Sequence, residues 1–384
     1  MIIRNIENGE NKKTQSLMAC AFKYPLDASR VGDDMEEEFI GAFADDNETL
    51  MAQIAVKDYK VTYCGKTVGC VGIAGVSTYP EYRREGCIRA IFNEVFRRCA
   101  DRGWDVSLLY PFSYRYYRKF GYELAFRHKT LSVPFSMLTH IERNNGAVLY
   151  NGEEDVLADL LGVYAAYAKD KNLCMVRTDG ASYSADPIKS CRYTYLWKNG
   201  GTPASYATVT PDGETLRVTE LVYTDAASLY GILGFLRLFD GQYKNVYFAL
   251  LENDSPVDFL VGTDKGITAS CADGAEGRVV NVKNVLMMNE YPRHGGSIRI
   301  RITGDVIENN NGVFTVSFGD KTDVSFEKDG EWDVSTSINS FSRLIFGGVA
   351  RGKAAYLADT VIRNKEELLY EMFPERSMNL FERF

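Results

Sequence analysis

The chain has 384 residues, which is too long for one ordinary domain and predicts two or three. Hydrophobic residues make up 45% of it, enough to fill sizeable cores, so a wholly disordered chain is excluded. The net charge of −8 argues against a general nucleic-acid-binding protein and is compatible with cationic small substrates.

Cysteine and histidine usage argues against disulfide and metal frameworks. The eight cysteines form no CxxC pair, and we expect reduced packing thiols in a cytoplasmic protein. The histidines are His128, His140 and His294, none at metal-ligand spacing, so we predict no metal. No segment approaches the ~20 apolar residues of a membrane helix, so we predict no membrane partner.

Apolar residues at helical spacing occur near the start of the chain, and strand-like segments follow them. The spacing predicts helices over residues 14–23 and 34–43. Apolar and alternating runs then predict three successive strands, MAQIAVKD, KVTYCG and TVGCVGIAGV.

A turn with two arginines and a glycine (Arg83, Arg84, Gly86) follows the third strand. The amphipathic stretch 89–102 then predicts a helix that stops at Gly103. Next come a buried-type strand, WDVSLLYP, and a short helix, SYRYYRKFGYE. These elements predict a compact α+β unit that ends near residue 145.

A second α/β unit follows the polar segment IERNNGAVLYNGEE. Its pattern predicts a helix over 153–169, strands at TPASYATVTP and LRVTELVYT, a helix at AASLYGILGFLRLF and a strand at NVYFALL. The strand-then-helix step repeats the layout of the first unit without its arginine–glycine turn, so we interpret it as a repeat that lacks the anion site.

The segment ITASCADGAEG predicts a second boundary. Strands are predicted beyond it at SIRIRITGD, GVFTVSFG and DVSFEK, with a helix at SINSFSRLIFGGV. Aromatic residues continue to Phe384, and since chain ends normally become polar and fray, we expect this end to be docked.

The arginine–glycine turn is a candidate anion site. A strand that leads through glycine into a helix presents unpaired N–H groups and the positive end of the helix dipole, which bind phosphate. Arg83 and Arg84 add charged donors. The alternative is a solvated turn with ordinary arginines.

The order of strand, R-R-x-G-x-x-R, amphipathic helix, strand and Y-x-x-F-G-Y resembles the acetyl-CoA signature of GCN5-related N-acetyltransferases (GNAT). Together with the degenerate second unit and the C-terminal unit ending in Phe, it resembles the Eis ("enhanced intracellular survival") acetyltransferase family. The resemblance covers essentially the whole chain.

The resemblance implies a fold and its domains. We expect an α+β protein with tandem GNAT folds, the second one degenerate, followed by a sterol carrier protein-like α/β domain. The expected domains are 1–145 for acetyl-CoA binding, 146–275 for the degenerate copy, and 276–384 for the domain that donates the C-terminal carboxylate.

The resemblance also implies site residues for the co-substrate acetyl-CoA. The backbone of the strand end would contact the pantetheine arm and thioester, and the turn would hold the pyrophosphate; Ile88 stands where the superfamily usually has Gly or Ala. The implied cofactor-binding residues are Val76, Ser77, Thr78, Arg83, Arg84, Glu85, Gly86, Cys87 and Ile88.

Two catalytic residues are implied by the resemblance. Tyr117 matches the family's general acid, which protonates the departing thiolate, although a tyrosine in this segment is also compatible with packing. The α-carboxylate of Phe384 would accept a proton from the substrate ammonium or orient it; alternatively, Phe384 caps a hydrophobic groove. His128, expected on an edge strand, is a second candidate base.

The acceptor is the least determined part. We expect an N-acetyltransferase acting by direct transfer on primary amines, either aminoglycoside-like polyamines or lysine-type amines. Ser113 and Arg383 stand where carboxylates are sought, and the acidic cluster 33–38 is expected on a substrate-facing helix. The alternative is a non-catalytic CoA- or lipid-binding sensor or carrier. Family resemblance implies a homo-hexamer.

Overall fold

The computed structural model describes residues 1–261 and 266–383. Within these residues the helices are α1 Asn11–Phe22, α2 Cys87–Arg102, α3 Tyr114–Tyr117, α4 Glu154–Ala168, α5 Pro187–Ser190, α6 Ala226–Leu236, α7 Val257–Val261, α8 Val282–Met288, α9 Ile338–Phe346 and α10 Glu366–Met372. The strands are β1 Ile2–Asn5, β2 Glu38–Phe43, β3 Leu50–Tyr63, β4 Lys66–Thr78, β5 Val106–Leu109, β6 Glu123–Leu124, β7 Arg127–Pro134, β8 Ala147–Leu149, β9 Tyr193–Asn199, β10 Thr202–Asp212, β11 Thr215–Tyr223, β12 Asn245–Leu251, β13 Thr268–Asp273, β14 Glu276–Val279, β15 Gly296–Thr303, β16 Gly312–Phe318, β17 Asp323–Glu327, β18 Val334–Ser337 and β19 Val361–Ile362. They build three mixed sheets, so the fold is mixed α/β.

The first sheet has the strand order β1-β2-β3-β4-β5-β14-β6. Strands β1 to β4 are antiparallel neighbours, whereas β4 and β5 are parallel and joined by α2. The apolar face of α2, with Ile91, Phe92 and Val95, is fully buried against this sheet. Burial of this face fixes the helix over the sheet and directs its N-terminus toward the end of β4.

Two predictions for the first unit are wrong. Residues 38–43 form β2 instead of part of a helix, because the run FIGAF is buried in the sheet, and a short apolar run fits either period. MAQIAVKD and KVTYCG form the single 14-residue strand β3.

The second sheet has the order β13-β7-β12-β11-β10-β9-β8. Its parallel pair, β11 and β12, is joined by α6, as β4 and β5 are joined by α2. Strand β7 lies between β13 and β12, so His128 stands on an interior strand and the prediction of an edge strand is wrong.

The first and second sheets each contain a strand from across a predicted boundary. Strand β7, which precedes residue 145, belongs to the second sheet, and β14, which follows residue 275, lies between β5 and β6 of the first sheet. The chain therefore crosses between sheets near residues 125 and 275, and its division at 145 and 275 stays a prediction.

The third sheet, β17-β16-β15-β18-β19, carries α9 against its core. One hydrophobic cluster runs from this core to the first sheet, joining Phe341 and Phe346 of α9 to Leu108 of β5. Asn172 reinforces the junction: it bonds to Cys64 after β3, to Phe346, and to Ser377 near the chain's end. The first sheet and the C-terminal segment are thus held by shared buried contacts.

Among the described residues, no helix combines the length and the apolar composition that a membrane span requires.

Candidate active site

Strand β4 bends away from β5 before it ends. The parallel pairing stops at Ile73 and Leu109, and the register of β4 against β3 shifts just beyond that point. Gly75 lies in this bulge with φ 56°, and a Cβ there would approach the Met18 sulfur to 3.0 Å. Glycine tolerates the positive φ and fits the limited space beside Met18, and the bulge separates β4 from β5.

The separation leaves the edge of residues 74–78 without a strand partner on the β5 side, within the described chain. Val76 and Thr78 are half-buried there, and Ser77 is buried. An open edge of this kind can pair with an extended amide-bearing ligand. The glycine inside an otherwise regular strand pattern is a sequence signal that could have indicated this bulge.

The turn between β4 and α2 has an unusual backbone. Arg84 and Gly86 have φ values of 72° and 86°, both in the left-handed region. Gly86 is the N-cap of α2, and no side chain caps the helix. The first N–H groups of a 16-residue helix therefore remain available to an anion at this end.

Arg83 and Arg84 are exposed, and neither guanidinium forms an ion pair or hydrogen bond within the part of the chain that the structure describes. Further along α2, by contrast, Arg97 and Arg98 both pair with Glu94. The two arginines of the turn are therefore free to bind an external anion.

A cavity of about 720 Å³ lies between the end of β4, the start of α2 and α3. It brings together eight of the nine predicted cofactor residues: Val76, Ser77, Thr78, Arg83, Arg84, Gly86, Cys87 and Ile88. Glu85 is exposed and does not line it. Its lining also includes residues that sequence reasoning missed, namely Ala21, Phe22, Tyr82, Arg89, Phe112, Tyr116, Lys119 and Phe120.

The missed wall is largely aromatic. Phe22 and Phe112 are 54% and 72% exposed, an unusual position for large apolar side chains. Periodicity does not distinguish a cavity wall from a core, so no sequence signal separated these residues from packing residues.

Tyr117 is the last residue of α3 and packs directly behind aromatic residues that line the cavity. It is 3% exposed, and its ring centroid is 5.4 Å from that of Phe112 and 5.2 Å from that of Tyr116, two residues of the lining. Burial raises the pKa of Tyr117 well above its usual value of 10, so the phenol is protonated at neutral pH.

Phe384 lies outside the described residues, so the prediction for its carboxylate stays a prediction. The residues before it run beside the end of β5. The Tyr110 hydroxyl donates to the Leu380 carbonyl at 3.4 Å, and the Arg383 guanidinium lies 5.9 Å from the Tyr110 ring centroid. Because Tyr110 directly follows β5, the C-terminal segment reaches the place where β4 and β5 separate.

Arg177 anchors that segment. Its side chain is 3% exposed, pairs with Glu382 at 2.7 Å and with Glu220 at 2.6 Å, and lies 3.9 Å over the Tyr164 ring. Separating a buried ion pair of this kind would leave a charge buried without compensation. Arg177 therefore fixes Glu382, and with it the C-terminal segment, firmly in place.

A second cavity, of about 790 Å³, opens beside this anchor. Four carboxylate residues line it: Asp58, Asp179, Glu220 and Glu382. Tyr59, Phe381 and Arg383 also line it. It is therefore bordered by residues 381–383 and has a lining of mixed charge, because Lys60, Arg177, Arg192 and Arg383 line it together with the four carboxylates.

His128 is buried, and neither ring nitrogen has a hydrogen-bond partner within the described residues. Burial, together with Arg383, lowers the pKa of His128 to about 4. The ring is neutral at pH 7 and is a weak base.

The acidic cluster 33–38 is not on a helix. Glu38 begins β2 and pairs with Arg98 and Arg102, near the C-terminus of α2. Since a helix rises 1.5 Å per residue, Arg98 is roughly 18 Å from Gly86. The expectation that this cluster lies on a substrate-facing helix is therefore wrong.

Ser113 precedes α3 without capping it. No cluster of three or more possible metal ligands occurs among the described residues.

Residues 3–125 match the family model for the acetyltransferase (GNAT) domain. This stretch contains the bulged strand, the arginine–glycine turn, α2 and Tyr117. The first part of the chain is therefore a GNAT domain, and the protein is an N-acetyltransferase.

Over its full length the chain has the fold of several solved proteins. A probable N-acyltransferase from Enterococcus faecalis V583 is 17% identical with a TM-score of 0.82, covering 100% of this chain and 99% of that one. A GCN5-related N-acetyltransferase from Anabaena variabilis ATCC 29413 is 18% identical with a TM-score of 0.82, and Eis1 from Mycobacterium abscessus is 17% identical with a TM-score of 0.81, both with complete coverage of both chains. No curated protein matches the sequence. The GNAT domain of residues 3–125 and the fold shared with these proteins, Eis1 among them, agree with the predicted resemblance.

Proposed function

We propose that the protein transfers the acetyl group of acetyl-CoA to a primary amine. The observation that carries this proposal is the open edge of β4 beside the uncapped N-terminus of α2, with two unpaired arginines at the turn between them.

The residues around the first cavity fit acetyl-CoA. Backbone groups at Val76 and Thr78 can pair with the amides of the pantetheine arm. The N–H groups at the start of α2, with Arg83 and Arg84, match the charge of a pyrophosphate. Each part of the donor thus meets a group of complementary chemistry.

In the proposed reaction, the neutral amine attacks the thioester carbonyl directly, within a ternary complex. The C–N bond forms, the C–S bond breaks and Tyr117 gives its proton to the departing sulfur, while the proton that the nitrogen loses as the amide forms restores the phenol. The carboxylate of Phe384, at the end of the segment beside Tyr110, would take the proton of the substrate ammonium.

Direct transfer is favoured over an acyl-enzyme. Cys87 lines the donor cavity, but it is buried and burial raises the pKa of its thiol. Since the thiolate is the nucleophile, a buried protonated thiol is a poor acceptor for the acetyl group.

The second cavity is the proposed acceptor site. Asp58 and Asp179, the lining carboxylates that do not pair with Arg177, would accept hydrogen bonds from the ammonium groups of an aminoglycoside-like polyamine or of a lysine-type amine. Four cationic residues also line it, namely Lys60, Arg177, Arg192 and Arg383, so they balance the charge of the four carboxylates.

We further propose the finer organisation of the molecule. The second sheet, with its parallel pair joined by α6, would be a degenerate GNAT copy, and the third sheet would be a sterol carrier protein-like domain. A homo-hexamer located in the cytoplasm completes the proposal.

A panel of amines tests the function. Purified protein with acetyl-CoA should release free thiol, detected with a thiol reagent, only when a primary amine is added, and polyamines should give the highest kcat/KM. CoA binding by calorimetry without thiol release from any amine would contradict the proposal and favour the non-catalytic sensor or carrier.

A further inference from the structure

Glu276 is a buried carboxyl group that the proposed reaction does not use. It begins β14, directly opposite Leu109 of β5 and Leu124 of β6. Its side chain is fully buried, and neither carboxyl oxygen has a hydrogen-bond partner within the described residues. An unpartnered buried carboxyl group is costly, so a folded protein that keeps one needs an explanation.

The register shows which face of the sheet Glu276 occupies. Directly opposed residues of an antiparallel pair project to the same face, so Glu276 shares the face of Leu109, whose side chain belongs to the core that contains Tyr117. The next residue confirms the alternation: a Cβ on Gly277 would meet Leu108 and Phe346 on the opposite face.

The other charged residue on this face of β14 is fully partnered. Arg278 donates to the Phe120 carbonyl at 2.5 Å and to both oxygens of Asp305 at 2.7 and 2.8 Å. Glu276, two residues earlier, has no such partner and is one of the groups whose field acts on Tyr117.

The ionisable groups around Glu276 do not neutralise it. Glu123 on β6 opposes its ionisation, and Arg118, just after α3, already pairs with Glu123. Burial and Glu123 raise the pKa of Glu276 from 4.5 to about 8, with Arg118 acting in the opposite direction. The group is therefore an uncharged acid at neutral pH.

We propose that Glu276 is a positioning residue for Tyr117, held as a neutral carboxylic acid on the face of the sheet where Tyr117 lies, and that its ionisation suppresses proton donation by Tyr117. When Tyr117 gives its proton to the sulfur, it becomes a phenolate. A neutral neighbour tolerates this negative charge, whereas a carboxylate in the same buried space repels it. This inference rests on the proposed function.

The test compares Glu276→Gln, which keeps the shape and removes the ionisation, with the native protein across pH 6.5 to 9.5. The ratio of kcat for the variant to kcat for the native protein cancels the titration of the substrate amine. It should be close to one at pH 7 and rise about tenfold per pH unit above pH 8. The control Glu327→Gln, an exposed residue of β17, should give a ratio of one throughout.

A second measurement detects the ionisation of Glu276 without depending on acetyltransferase activity. The midpoint of thermal unfolding should fall with rising pH more steeply for the native protein than for Glu276→Gln between pH 5 and 8. A ratio of kcat values that stays constant with pH, in a folded variant, overturns the inference. If the native protein releases no thiol at any pH, the proposed function fails, whereas the unfolding series still reports on Glu276.

Discussion

Tyr117 combines two properties that a general acid requires. Its phenol is protonated at neutral pH, although burial raises its pKa and so makes it a weaker acid, and its ring contacts Phe112 and Tyr116, which line the first cavity. Its neighbour Tyr116 is half-buried on the same short helix. The two tyrosines therefore form a matched pair for testing which phenol acts.

Replacing Tyr117 by phenylalanine should lower kcat about 100-fold or more, because the thiolate then departs without a proton donor. The Kd of acetyl-CoA, measured by calorimetry, should stay within the error of the native value. Tyr116→Phe should retain most of the activity. Comparable losses in both variants would argue that the aromatic packing, and not the Tyr117 hydroxyl, supports turnover.

Burial of Glu276 has a consequence for stability as well as for catalysis. Its pKa is raised in the folded state, so the folded protein binds one proton more than the unfolded chain between about pH 4.5 and pH 8. The contribution of Glu276 to the free energy of unfolding is fully present below that window. It falls by up to about 1.4 kcal/mol per pH unit as the pH rises through the window.

At the scale of elements, the proposed donor site is made by one bulge and one helix end. Gly75 turns β4 away from β5, and the uncapped N-terminus of α2 faces the space that opens. Neither element binds an extended phosphorylated ligand alone, since the strand edge provides amide pairing and the helix end provides positive charge.

Arg83→Ala and Arg84→Ala should each weaken acetyl-CoA binding about tenfold, because each removes one charge-assisted contact to phosphate. The loss should shrink as salt concentration rises, since these exposed charges are screened. Isothermal titration calorimetry at two ionic strengths measures both effects.

Arg97→Ala serves as the control, because this residue lies on α2, the helix that follows the turn, and pairs with Glu94 away from the turn. It should leave CoA affinity unchanged. An equal loss in all three variants would indicate that general helix charge, and not the turn, attracts the ligand.

At the scale of the whole molecule, distant parts of the chain converge on the first sheet. Strand β14 lies between β5 and β6, and the C-terminal segment runs past Tyr110 and is fixed by the pair of Arg177 with Glu382. The first unit and residues 380–383 therefore meet beside the proposed active site.

Deleting Phe384, or extending the chain with a C-terminal tag, should lower kcat about 100-fold while leaving CoA affinity unchanged, since the carboxylate is proposed to serve only the acceptor. An N-terminal tag is the matched control. Thiol-release kinetics and calorimetry on the same preparations separate the two effects. Full activity of the C-terminally tagged chain would remove the terminal carboxylate from the mechanism.

The sequence by itself determined the elements and residues that form the proposed donor site. The strand, the arginine–glycine turn, α2 and the Tyr117 helix lie within about fifty contiguous residues, so local periodicity, glycine positions and spacing predict them. Eight of the nine predicted cofactor residues line one cavity for this reason.

Only the tertiary structure decided which residues lie around the proposed donor site. Short apolar runs such as FIGAF do not distinguish strand from helix, and nothing local places Glu276 beside β5, His128 inside a sheet or Glu382 against Arg177. These positions depend on pairing between residues far apart in the chain, which is set by the burial of whole sheets and has no signature in a short window of sequence.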